Sequence, residues 1–341
     1  MAPDLSIVLV VGRRRNRAAR ALASLLAQLP DASLEVLLLD CAPPGAAPPL
    51  PGSDHPAVRQ VPLPPATLFG AAKAAGVRLA VAPVVAFLEE HCEVAPGWAA
   101  ALLAAHRGPW AGVGAEVHET IDAERLRPAA SGRGPGLRQP PAVGRPTSAS
   151  RIVALMNYHP WLPPARRAEH DMLPGNNASF KRDLLLAYGD RLEGLLRAEI
   201  VLHTRLRRDG HRLLLEPDAK FAHLDDTRFA SVCRSFYLFH RCYGPSRARE
   251  FGWTAARRLL YIAATPAIPL YFLVRLLLVL ARRRPRLLGA ALAASPWMLG
   301  TQLAGATGQA AGLLFGIGDA EARFTDYELN QARDERDECD G

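Results

Sequence analysis

The stretch Ala82-Pro-Val-Val-Ala-Phe-Leu-Glu-Glu-His91 decides how the chain folds. Its apolar part, ending at Leu88, is the continuous run that a strand buried on both faces requires, and it stops on acid residues. Working outward, Ser6-Ile-Val-Leu-Val-Val11 and Leu34-Glu-Val-Leu-Leu-Leu39 are runs of the same kind, and Val58 to Val61 is a shorter one. Between them lie helical patterns. Ala18 to Gln28 carries Leu22, Leu25 and Leu26 on one face and is stopped by Pro30, and Leu68 to Leu79 forms the second. The order β-α-β-β-α-β predicts an α/β fold with an open, mostly parallel sheet flanked by helices. Ligands of such sheets bind beyond the carboxyl ends of the strands. Asp40 and the triplet Glu89-Glu90-His91 stand there.

The 341 residues suffice for one large domain or two smaller ones, and 49% of them are hydrophobic. The net charge of +8 comes almost wholly from Arg, since Lys occurs only at Lys73, Lys181 and Lys220. Nucleic-acid binders gather cations with stacking aromatics on one face. Aromatic content is 7% and no such arrangement is visible, so no nucleic-acid partner is expected. The five cysteines include no CxxC pair and are odd in number, which indicates neither a zinc ribbon nor a disulfide framework. Gly12 is followed by Arg13-Arg-Arg15, where a dinucleotide-binding turn would need G-x-G-x-x-G. The N-terminus lacks the charged start and long apolar core of a secretory signal.

Residues 127 to 150 are rich in turn formers and read as a flexible loop. Structure is expected to resume at Ile152 to Trp161. Ser179 reads as the cap of a helix running to Tyr188, and Leu196 to Arg208 as a helix ended by Gly210. Arg212 to Leu215 and Lys220 to His223 read as short strands. Leu259 to Ala281 and Leu287 to Ile317 are each long enough to cross a bilayer. Basic residues flank both: Arg247, Arg249, Arg257 and Arg258 on the approach, and Arg282 to Arg286 between the two. Because the positive-inside rule would put both basic stretches on one side, the first segment is expected to take an interfacial or re-entrant path kinked at Pro266 and Pro269, with the arginines holding anionic lipid head groups. The acidic stretch from Asp319 reads as a solvated tail.

Taken together, the first strand, Asp40, the strand end Phe87-Leu-Glu-Glu-His91 and Pro96-Gly-Trp98 resemble the N-terminal half of a family 2 glycosyltransferase. Leu173-Pro-Gly-Asn-Asn-Ala-Ser-Phe-Lys-Arg182 and Arg197-Ala-Glu-Ile-Val-Leu-His-Thr-Arg-Leu-Arg-Arg-Asp-Gly210 are similar to later elements of that family. The resemblance implies the GT-A fold over residues 1–226, with a nucleotide-sugar-binding half (1–118) and an acceptor half (119–226). Beyond these would come amphipathic connecting helices (227–258), a membrane-associated helical hairpin (259–317) and the acidic tail (318–341).

Residue by residue, the resemblance assigns Asp40 to the donor base or ribose, with Val10 and Glu89 also on the donor; the family's Arg-Asn pair is missing from the stretch Gly70 to Gly76, which leaves Lys73 as the nearby cation for the donor phosphate. Glu90 and His91 fall on the metal motif, and His223 resembles a late histidine that some GT-A enzymes place on the metal. The family's aspartates are here replaced by two Glu and one His. A divalent cation, Mn²⁺ or Mg²⁺, would stabilise a leaving nucleoside diphosphate, and the imidazole shifts the preference toward Mn²⁺ or softer ions. Glu199 falls on the general base. Asn176, Asn177 and Trp161 are the acceptor-binding candidates. The implied activity is an inverting, metal-dependent transfer from a UDP- or GDP-sugar to a lipid-linked or surface-glycan acceptor, at the cytoplasmic face of a bacterial cell membrane. A polyprenyl-phosphate sugar synthase and a catalytically weak membrane scaffold are the alternatives.

Overall fold

The computed structural model describes residues 2–119, 152–223 and 228–330. The 127–150 loop and the last part of the acidic tail lie outside the described residues. The chain starts as its hydrophobic pattern predicts: β1 (Leu5–Val11), α1 (Arg15–Leu26), β2 (Leu34–Asp40), β3 (Val58–Pro62), α2 (Phe69–Leu79) and β4 (Val84–Glu89). Then come β5 (Cys92–Val94), α3 (Trp98–His106), β6 (Gly112–Glu119), a π-helical turn (Ala154–Tyr158), β7 (Ala168–Glu169) and β8 (Asn177–Lys181). The strands form one mixed sheet in the order β3-β2-β1-β4-β8-β6-β9-β5, where β9 is Leu213–His223 and β7 pairs with it. β1 is parallel to β2 and β4, whereas β8 runs antiparallel between β4 and β6.

The alternation of side chains along β1 divides the core in two. Leu5, Ile7, Leu9 and Val11 face α1 and α3, and meet Leu22, Leu25 and Trp98. Val8 and Val10 face the other way, toward α2 and the helices that follow β8. A side chain at Gly76 of α2 would put its Cβ 2.6 Å from Val8 Cγ1, so this glycine lets the helix lie directly on the strand.

Three local expectations are corrected. Ser179 is no helix cap: it lies in the interior of the sheet, and the helix begins after it as α4 (Arg182–Leu186). Ala178 and Phe180 of β8 enter one core. The polar Asn177 and Ser179 face the other, where Trp98 and His106 of α3 bond them at 3.1 and 2.8 Å. The helix expected from Leu196 is broken into α5 (Leu192–Leu196) and α6 (Glu199–Arg208) by the extended backbone of Ala198. The two short strands expected after Arg212 are one strand, β9, whose register against β6 shifts between Ala115 and Glu116.

The remaining chain is helical: α7 (Phe229–Glu250), α8 (Ala255–Ala263), α9 (Ile268–Arg283), α10 (Pro285–Phe315) and α11 (Ala320–Asn330). α8 and α9 meet at a 74° bend at the break containing Pro266. Among the described helices α10 alone is long and apolar enough by itself to span a bilayer, at roughly 46 Å for 1.5 Å per residue. It lies along α7 through Gly305, Gly308 and Gly312; a Cβ at Gly308 would sit 2.2 Å from the Tyr237 carbonyl oxygen. The acidic stretch is also corrected. It opens with a packed helix, α11, whose Ala320, Tyr327 and Leu329 are buried.

Candidate active site

The carboxyl end of β4 delivers Glu89, beside Val10 of β1 and next to the start of β8. Its N–H donates to the Asn176 carbonyl at 3.2 Å. Its two carboxylate oxygens face different partners: Oε1 lies 3.7 Å from Lys73 Nζ, and Oε2 lies 3.2 Å from His91 Nε2. Lys73 comes from α2 and is only 2% exposed, with its ammonium 4.2 Å from the centre of the Phe69 ring. On its far side the ammonium bonds Glu199 Oε1. Burial disfavours the charge on Lys73, but the Glu199 and Glu89 carboxylates outweigh it and hold the lysine pKa above its ordinary value.

Glu199 occupies this position because Ala198 breaks the preceding helix. It becomes the first residue of α6, where backbone N–H groups and the helix dipole favour a carboxylate. Its Oε2 faces Gly175, where an added Cβ would be 3.3 Å away. One turn later, His203 stacks on Phe180. Burial, reinforced by the Lys73 charge, pushes the His203 pKa down to about 3, so this imidazole is neutral.

A second polar chain adjoins the first. His223 ends β9, and its Nε2 is 3.0 Å from His91 Nε2 and 3.3 Å from the Tyr158 hydroxyl, which accepts from Asn176 Nδ2 at 3.0 Å. Among the described residues, two groups of three have ligand atoms within 4.8 Å of one another: His91, Cys92 and His223, and Glu89, His91 and Glu328 of α11. Carboxylate and imidazole donors at this spacing could hold a divalent cation.

Lys73, Glu89, His91, Asn176, Glu199 and His223 are thus brought together. Other candidates have different surroundings. Glu90 points toward the β1–α1 loop, where it forms a fully buried pair with Arg17 at 2.6 Å and accepts from Gly12 N at 2.9 Å. Asp40 is held by Arg15 at 2.7 Å and accepts from Ala42 N at 3.0 Å, an Asx-type turn. The Val10 side chain packs in the core, Asn177 accepts from Trp98, and Trp161 packs against the core behind the sheet. Sequence reasoning missed Glu328. Nothing local marks it, because its neighbours at the site precede it by more than two hundred residues.

No family model and no curated protein matches the chain. Among solved structures it is similar to the mannosyltransferase PcManGT from Pyrobaculum calidifontis in complex with GDP-Man and Mn²⁺, at 16% identity and a TM-score of 0.49, covering 92% of this chain and 88% of that one.

Proposed function

We propose that the chain is an inverting, metal-dependent glycosyltransferase of the GT-A type, family 2. It would move a sugar from a UDP- or GDP-sugar to a lipid-linked or surface-glycan acceptor at the cytoplasmic face of a cell membrane. The observation that carries this is the pairing of Glu89 and Glu199 across the Lys73 ammonium at the carboxyl end of the sheet, with His91 and His223 alongside.

The two carboxylates have separate tasks. Glu199, at a helix start, takes the proton of the acceptor hydroxyl as it attacks the anomeric carbon opposite the leaving group. Lys73 holds that carboxylate in place and supplies fixed positive charge near the leaving diphosphate. Glu89, His91 and His223 would hold a divalent cation, which supplies charge to offset the departing diphosphate. Asp40, once exchanged from Arg15, accepts hydrogen bonds from the donor's base or ribose. Asn176 orients hydroxyls through its amide.

The membrane assignment rests on the helical unit. Leu259, Leu260, Leu270, Tyr271, Trp297 and Phe315 are all more than half exposed, on helices bordered by Arg257, Arg258 and Arg282 to Arg286. Apolar surface of this extent beside arginines suits the boundary of an anionic bilayer.

The test uses the full chain in detergent. Thermal shifts with UDP and GDP, with and without Mn²⁺, should single out one nucleotide. That nucleotide's sugars should then release nucleoside diphosphate in the presence of a polyprenyl-phosphate or lipid-linked saccharide. Stabilisation by neither nucleotide, together with no release from any common nucleotide sugar, would reject the transferase.

A further inference from the structure

We propose that Glu328 of α11 completes a divalent-cation site with Glu89 and His91, so that cation binding fastens the C-terminal helix over the end of β1. The proposal rests on the transferase reading for its purpose, and adds to it a ligand from beyond the membrane-type helices.

α11 is placed for this role by contacts along its length. The Thr325 hydroxyl accepts from Phe69 N at 3.1 Å, and the Glu328 carbonyl accepts from Arg17 at 2.6 Å. Asn330 takes the Arg13 N–H at 3.1 Å and bonds Arg14 at 3.0 Å through its carbonyl. The approach is so close that a Cβ on Gly12 would lie 2.5 Å from the Leu329 carbonyl oxygen. The helix is thereby held against the β1–α1 loop and the start of α2, beside the end of β4 that carries Glu89.

Glu328 is 9% exposed and His91 5%, and their ligand atoms and those of Glu89 lie within 4.8 Å of one another. Glu89, Glu199 and Glu328 all act on the single Lys73 ammonium. One ammonium offsets only part of this carboxylate charge, and the excess attracts a dication. Glu89 already divides its oxygens, one toward Lys73 and one toward His91, which leaves the His91 side for the ion. The surroundings offer more donors. His223 Nε2 is 3.0 Å from His91 Nε2. The Asn176 side-chain oxygen, on a residue 4% exposed whose carbonyl bonds Glu89 N, has no partner among the described residues. Two carboxylates and an imidazole suit a divalent first-row metal ion, for which Mn²⁺ serves as the probe.

Mn²⁺ titration of the full chain, followed by the loss of the free-ion electron paramagnetic resonance signal, tests this without any turnover. Glu328→Gln should weaken Mn²⁺ binding at least tenfold, while Glu328→Asp keeps measurable binding and Asp326→Asn, on the exposed face of the same helix, binds as the parent does. Unchanged melting without Mn²⁺ would show that Glu328→Gln folds. Tryptic cleavage at the exposed Arg323 should slow with Mn²⁺ in the parent and not in Glu328→Gln. Equal Mn²⁺ affinity of parent and Glu328→Gln overturns the proposal, as does a parent that binds no Mn²⁺. Nucleotide-sugar turnover persisting in either case would leave the transferase standing and reject only the ligand role of Glu328.

Discussion

Lys73 Nζ and the Glu89 carboxylate lie 3.7 Å apart where β4 ends, and the same ammonium bonds Glu199 at the start of α6. A buried cation shared by carboxylates from two elements ties the strand side of the site to the helix side. The pair is worth less for stability than for arrangement, because desolvation consumes most of the attraction. Removing one partner, however, strands the others.

Lys73→Met should therefore destabilise the protein by about 1–3 kcal/mol, since it leaves two partly buried carboxylates without their counter-charge. Adding Glu199→Gln to it should recover part of the loss. Chemical denaturation of the two single variants and the double variant measures the coupling.

Glu199→Gln by itself should keep donor binding and lower turnover by about 10²–10⁴-fold, the usual contribution of a positioned base. Nucleotide titration beside turnover separates the two effects. Unchanged turnover would remove Glu199 from the chemistry.

The neighbours Glu89 and Glu90 should behave differently. Glu89→Gln is expected to cut turnover by about two orders of magnitude, by removing charge at the reacting centre. Glu90→Gln should instead cost about 3–5 kcal/mol of stability, because the Arg17 guanidinium loses its buried partner. Melting temperatures and turnover per folded molecule distinguish the two outcomes.

Acid should destabilise the fold through its buried histidines. Burial holds His203 at about 3 and His106 at about 4, against the ordinary histidine value of 6.5. Between those values the unfolded chain binds protons that the folded chain refuses, so stability falls as pH drops below about 6.5. Replacing the Phe180-stacked imidazole by His203→Phe should flatten that fall. Denaturation midpoints from pH 7 to pH 4 supply the check.

Helix α10 should be intolerant at a glycine packed on α7 and tolerant at an exposed one. Gly308→Ala forces a methyl against the Tyr237 carbonyl and should cost about 1–3 kcal/mol. Gly289→Ala, which meets nothing within 4 Å on the same helix, should be neutral or stabilise by about 0.5–1 kcal/mol. Thermal melts of both variants in detergent measure the difference.

Much of the fold was legible because buried parallel strands must be continuously apolar, and β1, β2 and β4 are. β8 was not, because Asn177 and Ser179 look like loop or cap residues until Trp98 and His106 are placed opposite them. Of the candidate site, Glu89 and His91 could be picked out by their position at a strand end, and Glu199 by the family resemblance. Glu90, adjacent in sequence to two of the clustered residues, could not be sorted from them. Successive side chains at a strand end point to opposite sides, and only Arg17 shows which side Glu90 takes.

The chain's own pattern determined strands β1 to β4, the helices between them and the apolar helices near the end of the chain, since each depends on the spacing of nonpolar residues along a local segment. Tertiary structure alone decided which charges meet. Lys73, Glu89, Glu199 and Glu328 come from four separate elements, and an ion pair depends on distances across the folded core that no local periodicity encodes.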